Sequence, residues 1–189
     1  MIALSDKAVL ITGGSGGLGR CLARAFARQG YRVGITSRDS EKLSAAAEEN
    51  RELGFPVFAL PCDIRHKDQV ESLAEELRTR LGPVHVLINN AGIAQAMSLL
   101  EMPESLWEET LQTNLTGAYH CCRAFLPGVI DAGWGRIINI ASTAGKVGYP
   151  HVTAYVSSKH GLLGLNSFFS VRDRSSKNYR QRHLSRLYR

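Results

Sequence analysis

The sequence predicts an α/β fold with three layers, in which a doubly wound parallel β-sheet is covered by helices on both faces. Short apolar runs typical of buried parallel strands alternate with longer segments that have the spacing of amphipathic helices. A chain of 189 residues suits one domain with one core. Ligands of such sheets bind outside the carboxyl ends of the strands, so we expect the functional residues there.

The first predicted strand, residues 7–12, leads into a glycine-rich turn, GGSGGLG, at residues 13–19. Residues 20–29 have helical spacing, and the face expected to point inward consists of Leu18, Leu22, Ala25 and Phe26. Glycine backbone can approach a pyrophosphate closely, and a helix N-terminus offers free N–H groups and a positive dipole. A plain tight turn has the same composition, but the strand before it and the helix after it favour nucleotide binding.

The second predicted strand, residues 31–36, ends at Ser37, Arg38 and Asp39. In a dinucleotide site this point of the chain meets the adenosine ribose. A carboxylate there binds the free 2′-hydroxyl of NAD, whereas an arginine accommodates the 2′-phosphate of NADP. Because Arg38 comes before Asp39, the order favours NADP. The alternative is a solvated loop arginine without a ligand.

The third predicted strand, residues 56–60, follows a helix over residues 41–53 and leads to Asp63. Asp63 is placed either to cap the next helix, residues 67–81, or to bind a base. The face of that helix expected to point inward consists of Val70, Leu73, Ala74, Leu77 and Leu81.

The fourth predicted strand, residues 84–88, runs into the segment NNAG at residues 89–92. Two adjacent amides can tie strand ends together, and the small residues after them leave room for a ligand. Helices are predicted over residues 103–113 and 115–132, with Asn114 between or within them. A buried asparagine in an apolar helix needs hydrogen-bond partners, either structural groups or ordered water beside an active site.

The fifth predicted strand, residues 135–140, ends just before Ser142, whose hydroxyl can point into the same site. Tyr155 and Lys159 are four residues apart and lie on one face of a helix. A free tyrosine titrates near pH 10, and an ammonium group one turn away favours the phenolate, so Lys159 would make Tyr155 a better acid at neutral pH. Two exposed residues on a solvated helix face have the same spacing.

The net charge of +6 is confined to one end of the chain. Residues 166–189 contain seven lysines or arginines and one aspartate, whereas residues 1–165 contain 16 basic and 16 acidic residues. The basic composition therefore describes a tail and does not indicate a nucleic-acid-binding face on the folded body. We also expect no membrane span and no secretory signal.

The four cysteines, Cys21, Cys62, Cys121 and Cys122, have neither zinc-ligand spacing nor an obvious disulfide frame. We expect them to be reduced packing residues of a cytoplasmic protein. The six histidines are scattered, so no metal site is expected.

With these residues placed, residues 5–165 resemble the short-chain dehydrogenase/reductase family, whose members have a Rossmann fold. Residues 12–19 resemble its cofactor turn and residues 89–92 its sheet-stabilising motif, while Asp63 matches its adenine contact. Its catalytic tetrad is matched by Asn114, Ser142, Tyr155 and Lys159. The segments TNLTG at residues 113–117 and NIASTAGK at residues 139–146 are most similar to 3-oxoacyl-carrier-protein and polyketide ketoreductases.

The resemblance implies an NADP(H)-dependent oxidoreductase that reduces a ketone or 3-oxoacyl carbonyl to an alcohol. Tyr155 would protonate the developing alkoxide, Ser142 would hold the carbonyl oxygen, Lys159 would tune Tyr155 and bind the nicotinamide ribose, and Asn114 would anchor a relay water. The cofactor would contact Gly13, Ser15, Gly17, Leu18, Gly19, Ser37, Arg38, Asp63, Ile64, Asn90, Ala91, Gly92, Tyr155 and Lys159. No metal is required.

The resemblance ends near residue 165, and residues 166–189 read as a divergent basic tail. The last strands, a Pro-Gly turn and a substrate-covering helix of the family are missing from the sequence. We therefore expect a truncated or frame-shifted chain whose fifth strand is a sheet edge. The family is usually homo-oligomeric, and this loss puts assembly in doubt. The competing hypothesis is an inactive nucleotide-binding remnant or interaction protein.

Overall fold

The computed structural model describes residues 6–170, with side chains given up to residue 167. The predicted basic tail lies outside the described residues from residue 171 onward. The strands are β1 (Ala8–Thr12), β2 (Arg32–Thr36), β3 (Phe58–Ala59), β4 (Val84–Asn89) and β5 (Arg136–Asn139). The α-helices are α1 (Gly17–Arg28), α2 (Ser40–Glu52), α3 (Lys67–Leu81), α4 (Glu104–Leu111), α5 (Gly117–Asp131) and α6 (Thr153–Ser170).

The strands form one parallel sheet in the order β3-β2-β1-β4-β5, as the alternating pattern predicted. The chain moves outward from β1 through β2 to β3, and then returns to the other side of β1 as β4. This change of direction opens a crevice at the carboxyl ends of β1 and β4, where ligands bind in doubly wound sheets. Among the described strands, β5 lies at one end of the sheet.

The core consists of two apolar layers, one on each face of the sheet. Successive side chains of β1 alternate between the faces: Ala8 and Leu10 pack with α3 and α5, whereas Val9 and Ile11 pack with α1 and α2. Burial on both faces explains the continuous apolar strands. The predicted inward face of α3 is confirmed, since Val70, Leu73, Leu77 and Leu81 are buried and Ala74 packs against them.

The predicted inward face of α1 is wrong in part. The helix begins at Gly17 rather than Arg20, and its buried residues are Gly19 and Ala23. Leu18 is 53% exposed and Ala25 is also exposed. The glycine turn sets this rotation, because Gly19 packs directly on the turn and Leu18 consequently faces the crevice.

The two helices predicted around Asn114 form one continuous helical segment. A π-helical turn, Gln112–Thr116, joins α4 to α5 and contains Asn114. Strand β3 is only two residues long, shorter than the predicted residues 56–60. Within residues 6–170, no helix combines the length and apolar character needed to cross a bilayer.

Candidate active site

The glycine turn brings backbone, rather than side chains, to the mouth of the crevice. Gly13 has a φ of +65°, and a Cβ on it would lie 2.9 Å from the Cα of Ala91. A Cβ on Gly19 would lie 2.2 Å from the carbonyl oxygen of Gly13, so only glycine fits there. Gly17 instead faces open space, and within the described residues 6–170 no side chain caps the N-terminus of α1. The first N–H groups of α1 are therefore available to an anionic ligand.

The crevice holds a cavity of about 470 Å³ that extends from the end of β2 to the end of β4. Its lining includes every predicted cofactor residue except Tyr155 and Lys159, namely Gly13, Ser15, Gly17, Leu18, Gly19, Ser37, Arg38, Asp63, Ile64, Asn90, Ala91 and Gly92. The structure therefore brings residues from four strand ends into one cavity. Their contacts with a cofactor stay a prediction.

The amide pair after β4 ties the strand ends together, as expected. The backbone N–H groups of Asn90 and Ala91 both donate to Thr12 Oγ1 at 3.0 Å, and Asn90 Nδ2 donates to the Thr12 carbonyl at 2.9 Å. On the other side, Asn89 Nδ2 donates to Asn139 Oδ1 of β5 at 2.7 Å. These bonds fix the floor of the cavity between β1, β4 and β5.

At the end of β2, Arg38 and Asp39 point to different partners. Asp39 is the N-cap of α2: its Oδ1 accepts from the backbone N–H of Lys42 at 3.0 Å, and its Oδ2 lies 2.9 Å from Lys42 Nζ. These contacts lower the pKa of the Asp39 carboxyl. Arg38 lines the cavity and bonds to Glu109 Oε1 of α4 at 2.8 Å.

Asp63 does not cap α3, whose N-cap residue is His66. Its carboxylate accepts from Arg65 Nε at 2.9 Å and from Arg65 Nη2 at 2.5 Å. The Arg65 guanidinium lowers the pKa of Asp63 below its ordinary value. Asp63 is therefore an ionised, partly buried group on the cavity wall. The sequence allowed Asp63 either to cap α3 or to bind a base, and the structure excludes the role as helix cap.

Asn114 is buried and holds the backbone next to the cavity. Its Oδ1 accepts from the Ile93 N–H at 2.8 Å, and its Nδ2 donates to the Ile93 carbonyl at 2.8 Å and to Ser158 Oγ at 3.0 Å. Ser158 Oγ donates in turn to the Tyr155 carbonyl at 2.7 Å. Asn114 thus links the segment after β4 to the helix that carries Tyr155.

Lys159 is a buried cation beside Tyr155. It is 5% exposed, its Nζ donates to the Ile140 carbonyl at 2.8 Å, and it lies 5.6 Å from the centroid of the Tyr155 ring. Burial lowers the pKa of the Lys159 ammonium. A Cβ on Gly92 would lie 3.7 Å from Lys159 Nζ, so the ammonium adjoins the end of the cavity without lining it.

Ser142 lies just beyond β5, as its position in the sequence indicated. It is the N-cap of a short 3₁₀ turn, Thr143–Gly145, and its Oγ accepts from the Ala144 N–H at 3.1 Å. An oxygen that accepts from the backbone still has its own proton to donate. None of Asn114, Ser142, Tyr155 and Lys159 lines the cavity, so the predicted site has two regions: the cavity and the predicted catalytic residues beyond its lining.

Sequence reasoning did not identify several residues that shape this site. Thr12 holds the segment after β4, Ser158 connects Asn114 to α6, and Glu109 joins Arg38 to Arg65. Thr12 carried a usable signal, because a threonine that ends a buried strand has a hydroxyl free for the next strand end. Glu109 carried none, since it is one of several glutamates on a polar helix face.

The sheet order and the glycine turn at the switch point define a doubly wound α/β protein of the Rossmann type. The chain belongs to the short chain dehydrogenase family, whose model matches residues 7–172.

Curated relatives agree with this assignment. A Streptomyces coelicolor protein, provisionally named a ketoacyl reductase, is 37% identical over 166 residues, covering 87% of this chain and 64% of that protein. A Staphylococcus aureus 3-oxoacyl-acyl-carrier-protein reductase is 36% identical over 160 residues, covering 84% of this chain and 65% of that protein. The chain thus spans just under two thirds of the length of these relatives.

Solved structures share the fold. A variant of actinorhodin polyketide ketoreductase with NADPH superposes with a TM-score of 0.82 at 37% identity, covering 87% of this chain and 64% of that one. A short chain dehydrogenase/reductase of Burkholderia phymatum in complex with NAD has a TM-score of 0.85 at 29% identity, covering 90% of this chain and 61% of that one.

Proposed function

We propose that the protein is an NADP(H)-dependent reductase that converts a ketone or 3-oxoacyl carbonyl into an alcohol. The observation that carries the proposal is the buried Lys159 ammonium, which lies beside the Tyr155 ring at the open end of a cavity with a glycine-turn floor. Within residues 6–170 no carboxylate pairs with Lys159, which is unusual for a buried cation, and a catalytic role explains its presence.

The cavity fits a dinucleotide on the features of this chain alone. Gly17 offers open space above the uncapped N-terminus of α1, where a pyrophosphate would receive N–H bonds. Asp63 and Ile64 line the wall expected to hold the adenine, and Arg38 lies where the adenosine ribose is expected. When bound, NADPH supplies a hydride to the carbonyl carbon of the substrate.

A preference for NADP over NAD is supported by the two residues after β2. Asp39 also lines the cavity, but both of its carboxylate oxygens already contact Lys42, one at the backbone N–H and one at the ammonium. Arg38 lines the cavity and can receive a 2′-phosphate. The similar ketoreductase structure holds NADPH, although the Burkholderia protein of the same fold holds NAD.

Tyr155 is the proposed acid. Lys159 donates to the Ile140 carbonyl, and its ammonium lies 5.6 Å from the centroid of the Tyr155 ring. The phenol would give its proton to the oxygen of the reacting carbonyl as that oxygen becomes an alkoxide. A neutral Lys159 would place no positive charge beside the phenol. The proposed mechanism therefore requires Lys159 to stay protonated, although burial lowers its pKa.

Ser142 and Asn114 are proposed to position the reaction. The Ser142 hydroxyl accepts from Ala144 and can donate its proton to the carbonyl oxygen, which stabilises the developing charge. Both Asn114 amide hydrogens are used by Ile93 and Ser158, so a relay water would have to bind an acceptor oxygen of this residue.

The experiment is NADPH oxidation by the purified chain with a panel of simple ketones and 3-oxoacyl thioesters. We expect turnover with at least one of these two substrate classes, and we expect Tyr155→Phe to lose it. A parallel titration of NADPH by fluorescence separates binding from chemistry. Binding without turnover on any substrate would favour the competing hypothesis of a nucleotide-binding protein, and absence of both would contradict the proposed function.

A further inference from the structure

A chain of charges borders the cavity at the end where the adenosine is expected. We call it the rim bridge, and it consists of Arg38, Glu109 and Arg65. The Glu109 Oε1 atom accepts from Arg38 Nη1 at 2.8 Å and from Arg65 Nη1 at 3.3 Å. Arg38 follows β2 and Arg65 follows β3, whereas Glu109 comes from α4 after β4. The rim bridge therefore joins the two halves of the doubly wound fold.

The partners of Glu109 differ in how firmly they are held. Arg65 is bound at two nitrogens by Asp63, so it keeps a carboxylate whatever happens to Glu109. Arg38 is 52% exposed, and within residues 6–170 Glu109 is the only carboxylate to which its guanidinium bonds. Releasing Glu109 would therefore free Arg38 and leave Arg65 in place.

From this geometry we infer that Glu109 determines cofactor specificity by competing with the 2′-phosphate of NADP(H) for the guanidinium of Arg38. The inference rests on the proposed function, because it assumes that the adenosine ribose lies beside Arg38. A carboxylate and a phosphate cannot share one guanidinium without mutual repulsion. Glu109 must either be displaced or stay close to the phosphate, and both outcomes weaken binding of NADPH but not of NADH.

The test is Glu109→Gln, in which the amide oxygen can still accept from Arg38 but the negative charge is gone. NADPH and NADH form the matched ligand pair because they differ only in the 2′-phosphate. We expect the Kd of NADPH to fall roughly three- to tenfold, the range for one or two exposed ion pairs. The Kd of NADH should stay within about twofold of the wild-type value, because NADH has no 2′-phosphate to compete with Glu109 for Arg38.

The matched control is Glu108→Gln, an exposed residue on the same helix with the same change of charge. We expect Glu108→Gln to leave the ratio of the NADPH Kd to the NADH Kd unchanged. The same titrations with 2′,5′-ADP and 5′-AMP probe the adenosine end without the nicotinamide. In an Arg38→Gln background, Glu109→Gln should have no further effect on the ratio, because the contested guanidinium is absent.

Two results would overturn the inference. In Glu109→Gln the ratio of the NADPH Kd to the NADH Kd could stay unchanged, as it does when both cofactors bind equally more tightly, or it could rise. In either case, wild-type preference for NADPH would leave the proposed function standing. If the wild type binds neither cofactor, or binds NADPH no more tightly than NADH, the proposed NADP function fails and the inference fails with it.

Discussion

The adenosine end and the catalytic end of the site are built on opposite principles. At the proposed adenosine end, the partly exposed side chains of Arg38 and Glu109 pair with one another beside the cavity. At the catalytic end, Lys159 and Asn114 are buried and bonded to backbone carbonyls and N–H groups. Exposed pairs contribute little to stability and can exchange partners, whereas buried polar groups are strongly fixed. On the proposed function, we therefore expect substitutions to alter cofactor choice easily and the acid only with difficulty.

The largest expected effect is on turnover, through Lys159→Met. The change removes the cation that lies beside the Tyr155 ring, and we expect turnover to fall by roughly 10²- to 10⁴-fold. Stability should be unchanged or increased, because burial disfavours the charged form of Lys159, as its lowered pKa indicates. Steady-state NADPH oxidation and thermal unfolding on the same sample check both parts. Turnover near the wild-type level would remove the buried cation from the mechanism.

Asn114→Ala tests whether the catalytic end is held by its buried hydrogen bonds. The variant loses bonds to both backbone groups of Ile93 and to Ser158, and it leaves those groups unsatisfied. We expect the free energy of unfolding to fall by about 2–4 kcal/mol, measured by urea denaturation. Gln112→Ala, at an exposed position of the same π-helical turn, is the control and should change stability by less than about 0.5 kcal/mol. Equal losses in the two variants would show that the turn, rather than the bonds of Asn114, matters.

The smallest effect on stability is expected at the adenosine end, with Arg38→Gln. The exposed pair with Glu109 should contribute less than about 1 kcal/mol to folding. The change should nevertheless raise the Kd of NADPH by roughly tenfold, the typical effect of losing one charge-assisted hydrogen bond, and leave that of NADH nearly constant. Fluorescence titrations of both cofactors measure this. If NADH binding weakens as much as NADPH binding, Arg38 supports the loop and does not recognise the phosphate.

The sequence was sufficient to predict the sheet and most of the cavity wall. Strand ends are marked by local features: glycines after Thr12, Arg38 after β2, and the amides after β4. Parallel strands place such ends on one edge of the sheet, so local signals combine without knowledge of long-range packing. The continuous apolar strands likewise predicted a sheet that is buried on both faces.

What could not be predicted depends on helix orientation. The exposure of Leu18 follows from the contact between Gly19 and Gly13, which no periodicity reveals. The contact between Arg38 and Glu109 joins residues 71 positions apart, and no local pattern indicates it. The π-helical turn at Asn114 adds one residue to a helical turn and so shifts the register between α4 and α5. The spacing of the apolar residues did not predict this turn.

The proposal that two separate regions share one reaction is tested most directly with Tyr155→Phe. The Kd of NADPH and the single-turnover rate of NADPH oxidation with a reactive ketone are measured on the same sample. Because Tyr155 does not line the cavity, the account predicts a Kd within about twofold of wild type and a rate at least about 100-fold lower. A rate close to wild type would contradict the role of Tyr155 as the acid.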